Sequence, residues 1–127
     1  MSKLVDSDVI VFAFSNNPRK DACRKLIEAE NITINTLILL ESFSKVATIT
    51  KDNALAESMA KLFYTADNIE IIDFDANLFF EALKRSGKYR LKISDLVHYT
   101  TALLNSCSSI ISYDRDFDNL EIKRIEP

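Results

Sequence analysis

The chain has 127 residues, of which 47% are hydrophobic and 28% charged, with a formal charge of −3 at pH 7. This length suits one domain over 1–127, because single cores usually fill at roughly 100–200 residues. One Gly and two Pro argue against a turn-rich sandwich or barrel, and no apolar run approaches the roughly 18 residues of a membrane span.

The elements follow from the pattern of apolar residues. Leu4–Val5 opens a strand closed by Asp6, and Val9–Phe14 fits a strand followed by a helical turn. Asn16-Asn17-Pro18 breaks the chain, since Pro18 lacks an amide donor and biases Asn17 away from helix. Ala22, Cys23, Leu26 and Ile27 then recur at helical spacing within Arg19–Ala29. Ile32–Ile34 is a β-branched triplet, and Thr36 is an N-cap candidate for a helix to about Thr50. Asp52 or Asn53 caps another helix, with Leu55, Met59, Leu62 and Phe63 on one face. Ile69–Ile72 reads as a strand, and Asp75 caps a helix through Arg85 that ends near Gly87. Ser94 caps the next helix, to about Asn105, before strands at Ser109–Tyr113 and Glu121–Ile125. The two cysteines, Cys23 and Cys107, are too few for a disulfide framework or a zinc site and read as buried thiols of a cytoplasmic protein. The charged, briefly apolar start does not read as a signal peptide.

Strands alternating with helices imply crossover connections, and so a mostly parallel α/β sheet covered on both faces. Ligands of such sheets bind beyond the carboxyl ends of the strands. Asp6, Asp95 and Asp114 all fall at strand or helix ends. Glu41 sits inside a helix, sharing a face with Leu37 and Ile38, and a carboxylate there needs a cation, a donor network or a metal as partner. Each acid alone has an ordinary reading, as a helix-start acid or a solvated turn. Gathered on one sheet edge, they would raise one another's pKa unless a cation compensated. An oxygen-only cluster suits Mg²⁺ or Mn²⁺ rather than zinc.

Four segments in register resemble the motifs of PIN-domain ribonucleases, and most nearly the VapC-type toxins of toxin–antitoxin pairs. They are Val5-Asp6-Ser7-Asp8-Val9-Ile10, the helical Glu41, Ile93-Ser94-Asp95-Leu96-Val97-His98 through Ala102-Leu103, and Ser112-Tyr113-Asp114-Arg115-Asp116-Phe117. The resemblance implies a three-layer fold, with about five mostly parallel strands in the order 3-2-1-4-5 between helices. It implies cleavage of single-stranded RNA with Mg²⁺ or Mn²⁺ by a quartet of Asp6, Glu41, Asp95 and Asp114, with Asp116 auxiliary. It further implies a homodimer and a cognate antitoxin protein that holds the enzyme inactive. Asp8 stands where the family commonly has Asn, and Tyr113 where a small polar residue is common.

In that scheme Asp6, Asp95 and Asp114 hold the metal, Glu41 orients or deprotonates the attacking water, and Ser7 and Ser112 donate to the carboxylates. A net acidic chain does not hold RNA through its global field, so Lys88, Arg90 and Lys92 are the candidate basic rim. His98, the sole histidine, lies one turn after Asp95, within hydrogen-bonding range of the site, but reads as a packed or surface residue rather than a catalytic one. The alternatives are a stand-alone PIN domain in RNA processing, a non-catalytic PIN-like binding module, and a phosphorelay receiver. A receiver leaves Asp95 without a role.

Overall fold

The computed structural model describes residues 1–127. In chain order the elements are β1 (Lys3–Val5), α1 (Ser7–Ala13), α2 (Lys20–Ala29), β2 (Ile32–Asn35), α3 (Thr36–Thr50) and α4 (Asn53–Thr65). There follow β3 (Ile69–Ile72), α5 (Ala76–Leu83), α6 (Ile93–Leu104), β4 (Ser109–Ile111), a 3₁₀ turn (Arg115–Phe117) and β5 (Lys123–Ile125). All four strand pairings are parallel, and the sheet order is β3-β2-β1-β4-β5. This is the expected α/β architecture.

Consecutive residues of a strand point to opposite faces, yet both Leu4 and Val5 of β1, and both Ile110 and Ile111 of β4, are fully buried. The centre of the sheet is therefore covered on each side. Helix α1 packs on α2 and α3, and α3 on α4. Helix α6 lies across β1, β2 and β4 and carries α5. The chain runs outward through β1, β2 and β3, then returns to lay β4 on the other side of β1. The order thus reverses between β1 and β4, where a parallel sheet opens a crevice at its carboxyl end.

Local chemistry moved several boundaries. Val9–Phe14 contains no strand: α1 starts at Ser7, directly after Asp6, whose side chain accepts the Ser7 N–H as N-cap. That cap turns an apolar, β-branched run into a helix whose Val9, Ile10, Val11 and Ala13 are buried. Asn35, not Thr36, caps α3 by accepting the Ile38 N–H, which frees the Thr36 hydroxyl to accept the Phe74 N–H. Asp52 and Asp75 cap α4 and α5 as expected. Helix α5 ends at Leu83, and Gly87 has no left-handed backbone, a conformation found instead at Lys51, Ser106 and Asn119. Helix α6 begins before Ser94, on the backbone of Lys92, without a side-chain cap. Strands β4 and β5 are each two residues shorter than expected.

Candidate active site

Four segments deliver the acids to one place. Asp6 follows β1 and is almost completely buried. Its Oδ1 accepts from Ser7 N at 2.8 Å, and its Oδ2 accepts from the Ser112 hydroxyl at 2.8 Å. Ser112 follows β4, and its oxygen accepts the Asp114 N–H at 3.0 Å. One serine thus fixes the first and last acids relative to each other. Asp114 caps the 3₁₀ turn by accepting the Asp116 N–H at 2.9 Å. Asp95 lies in the first turn of α6, and Glu41 in the second turn of α3.

Asp6, Ser7, Asp8, Glu41, Asp95 and Asp114 line a single cleft of about 240 Å³ with no hydrophobic residue in its wall. All four members of the expected quartet are brought together. Two of its members, Asp95 and Asp114, form a tighter group with Asp116 from outside the cleft lining, one carboxylate oxygen of each lying within 4.8 Å of the others. Asp116 is exposed but belongs to this tight group. Asp6 stands beside it, held by its two donors. Of the two expected serine donors, Ser112 acts through its hydroxyl and Ser7 through its backbone N–H.

The crowding has an electrostatic signature. Burial, then the charge of Asp6, pushes the Asp95 carboxyl up to about 6, and Asp114 and Glu41 add to the rise. Asp8 is likewise pushed up to about 6 by burial and Asp6, although it accepts N–H bonds from Val9 and Tyr113. Glu41 behaves oppositely. Burial raises its carboxyl, but a 2.9 Å hydrogen bond with His98 and the positive charge of Lys45 more than offset that and leave it below the usual range.

A model of the PIN domain matches residues 3–123 of the chain. The chain belongs to the PIN-domain family. Membership sets aside the receiver alternative. No match was found among curated protein sequences. The fold of this PIN domain is similar to that of VapC20 from Mycobacterium tuberculosis, a Sarcin-Ricin loop cleaving toxin, with a TM-score of 0.78 at 14% identity over 98% of this chain and 99% of that one. It is similar to a chain of a toxin–antitoxin complex from Klebsiella pneumoniae, with a TM-score of 0.75 at 17% identity over 97% and 95% of the two chains. A third likeness is to a chain of VapBC2 from Rickettsia felis, bound to a DNA fragment from its promoter, with a TM-score of 0.67 at 19% identity over 99% and 98%. These likenesses are of fold.

The cleft of this PIN domain has the donor chemistry of a hard divalent cation. Its ligand candidates are all oxygens. No Lys or Arg is ion-paired with Asp6, Asp8, Asp95, Asp114 or Asp116, since every such pair in the molecule lies elsewhere. Lys45 and Lys92 line the cleft without pairing directly with the aspartates, so those carboxylate oxygens stay free for a cation, and the residues fit Mg²⁺ or Mn²⁺.

The expected basic rim is divided by the structure. Lys92 lines the cleft, whereas Lys88 turns to Glu121 at 2.8 Å and Arg90 is exposed outside the lining. Lys45 was missed; it also lines the cleft and lies one turn beyond Glu41, a spacing legible in the sequence. His98 is buried and makes a hydrogen bond at the site, to Glu41 across 57 residues, a partner for which the sequence holds no local signal. The loop bearing Asp114 is braced from outside by Arg124 of β5. Its Nη1 donates to the Ser112 carbonyl at 3.0 Å and its Nε to Asp118 at 2.6 Å. No helix is long and apolar enough to cross a membrane.

Proposed function

We propose that this PIN domain is a divalent-metal-dependent ribonuclease that hydrolyses phosphodiester bonds in single-stranded RNA, as the cytoplasmic toxin of a toxin–antitoxin pair. The observation that carries the reading is the convergence of Asp6, Glu41, Asp95 and Asp114 in one cleft with no basic residue ion-paired to the aspartates. Family membership and the toxin folds it resembles support the toxin assignment. The toxin–antitoxin complexes among those likenesses support an antitoxin protein as partner, and the homodimer rests on the family resemblance alone.

Asp95, Asp114 and Asp6 would hold Mg²⁺ or Mn²⁺, with Asp116 completing the group. When bound, such a cation neutralises charge that builds on the phosphate and lowers the pKa of coordinated water. The chain's own residues do the rest. Glu41, ionised and held through one oxygen by His98, accepts a proton from the attacking water. Ser112 and the Ser7 N–H keep Asp6 in a fixed rotamer. Lys45 and Lys92 flank the acids and receive the flanking phosphates of the strand.

Asp95→Asn tests the assignment, since it keeps the shape of the side chain and removes its charge. Purified wild type is expected to cleave single-stranded RNA only with Mg²⁺ or Mn²⁺, and Asp95→Asn to show no cleavage while its circular dichroism is unchanged. Full activity in that variant would reject the assignment.

A further inference from the structure

The Glu41 carboxylate owes its orientation to a buried ring whose proton can be located from the hydrogen bonds around it. His98 is 1% exposed, and its Nε2 lies 2.9 Å from Glu41 Oε1. Its other nitrogen, Nδ1, meets the side-chain amide nitrogen of Asn35 at 3.1 Å. The facing of that amide is set from its other end, where Oδ1 accepts the Ile38 N–H at 2.7 Å as the cap of α3. Asn35 Nδ2 also donates to Thr101 Oγ1 at 2.9 Å, while the Thr101 hydroxyl proton goes to the Val97 carbonyl at 2.8 Å. Both amide protons thus have acceptors, and Nδ1 must offer a lone pair to one of them. The ring proton is left on Nε2, aimed at Glu41.

We infer that His98 is a positioning residue for Glu41, locked by Asn35 in the Nε2–H tautomer so that Oε1 is tethered and Oε2 stays free for the cleft. The inference rests on the ribonuclease reading for its kinetic consequence, but not for the tautomer. Fold stability alone does not call for the arrangement. Glu41 is about a quarter exposed at its side chain and tolerates water, and an apolar residue fills a helix-to-sheet interface as well as a buried imidazole does. The network joins the end of β2, the start of α3 and the middle of α6, so the two helices that bear Glu41 and Asp95 are tied through one asparagine.

Two substitutions differing by one methylene test the assignment. His98→Asn sets an amide near the former Nδ1, within reach of Asn35 but short of Glu41. His98→Gln extends an amide donor to where Nε2 stood. Against single-stranded RNA, His98→Asn is expected to lose about 10–100-fold in kcat with KM little changed, and His98→Gln to stay within about threefold of wild type. Equal kcat in the two variants overturns the inference. A long-range ¹H–¹⁵N spectrum of the intact protein provides a readout free of activity. It is expected to show an Nε2–H imidazole whose proton resonance moves upfield in Glu41→Gln. An Nδ1–H ring, or an unmoved resonance, overturns the inference too. A wild type that cleaves no RNA refutes the ribonuclease reading, and the spectrum still decides the placement of the proton.

Discussion

The hydroxyl of Ser112 donates to Oδ2 of Asp6 at 2.8 Å, joining positions 106 residues apart. The same oxygen accepts the Asp114 N–H, so a single side chain spaces two acids of the cleft. Ser112 is fully buried, and no water can replace its oxygen without repacking. Ser112→Ala is expected to destabilise the fold by about 1–3 kcal/mol, the usual result of leaving a buried polar group unpartnered. Urea denaturation measures this directly, and RNA cleavage should fall with it.

The crowded carboxyls make stability depend on pH in a definite sense. Asp8 and Asp95 titrate at about 6 in the fold and at 3.8 as free side chains. Below 3.8 they are protonated whether the chain is folded or not, and they impose no penalty. Between 3.8 and 6 the unfolded chain has released protons that the folded chain retains. Above 6 the fold must carry both charges, so stability is lost as pH rises through that window. Asp8→Asn is expected to be more stable than wild type at pH 7.5 by about 1 kcal/mol after solvent screening, or about 3 °C in Tm. At pH 3.5 the two should melt alike. Calorimetry at the two pH values checks the sign, and a variant less stable than wild type at pH 7.5 would contradict it.

A cation that binds the fold and not the unfolded chain raises Tm by mass action. The expected gain is about 2.7 kcal/mol at a hundredfold excess over Kd. Wild type should therefore melt higher in Mg²⁺ or Mn²⁺ than in NaCl of equal ionic strength, and a chelator should reverse the change. Asp114→Asn should show little of it. Differential scanning fluorimetry across a metal titration makes the comparison.

The lysines of the cleft and those outside it should separate in an RNA-binding assay. Lys45→Ala and Lys92→Ala are each expected to weaken binding and to reduce the salt slope by about 0.7, the value for one phosphate contact on a single strand. Lys88→Ala, which removes an ion pair with Glu121, should leave both unchanged. Fluorescence anisotropy at several salt concentrations, in the Asp95→Asn background to prevent cleavage, gives the numbers.

Most of the architecture was legible because alternation of strand and helix patterns leaves few ways to build a parallel sheet. Asp6, Asp95 and Asp114 were legible as acids at element ends. The segment Val9–Phe14 was not, because its β-branched run has extended propensity and the deciding interaction is the cap supplied by Asp6. The rim was read from a dense basic run, yet Lys88 is drawn to Glu121, and Lys45, alone on its helix face, holds the better position. His98 shows the limit most clearly. Packed and surface positions were equally open to it, because its two partners come from β2 and α3, and only tertiary packing brings them to it.

The sheet order carries a consequence for biosynthesis. Because β4 inserts beside β1, the acid that follows residue 5 meets its counterpart only after residue 114 has been made. A nascent chain still threading the ribosomal tunnel has its N-terminal carboxylate exposed and no cleft around it. The proposed cleavage of RNA therefore waits until β4 and the loop after it have emerged and docked beside β1.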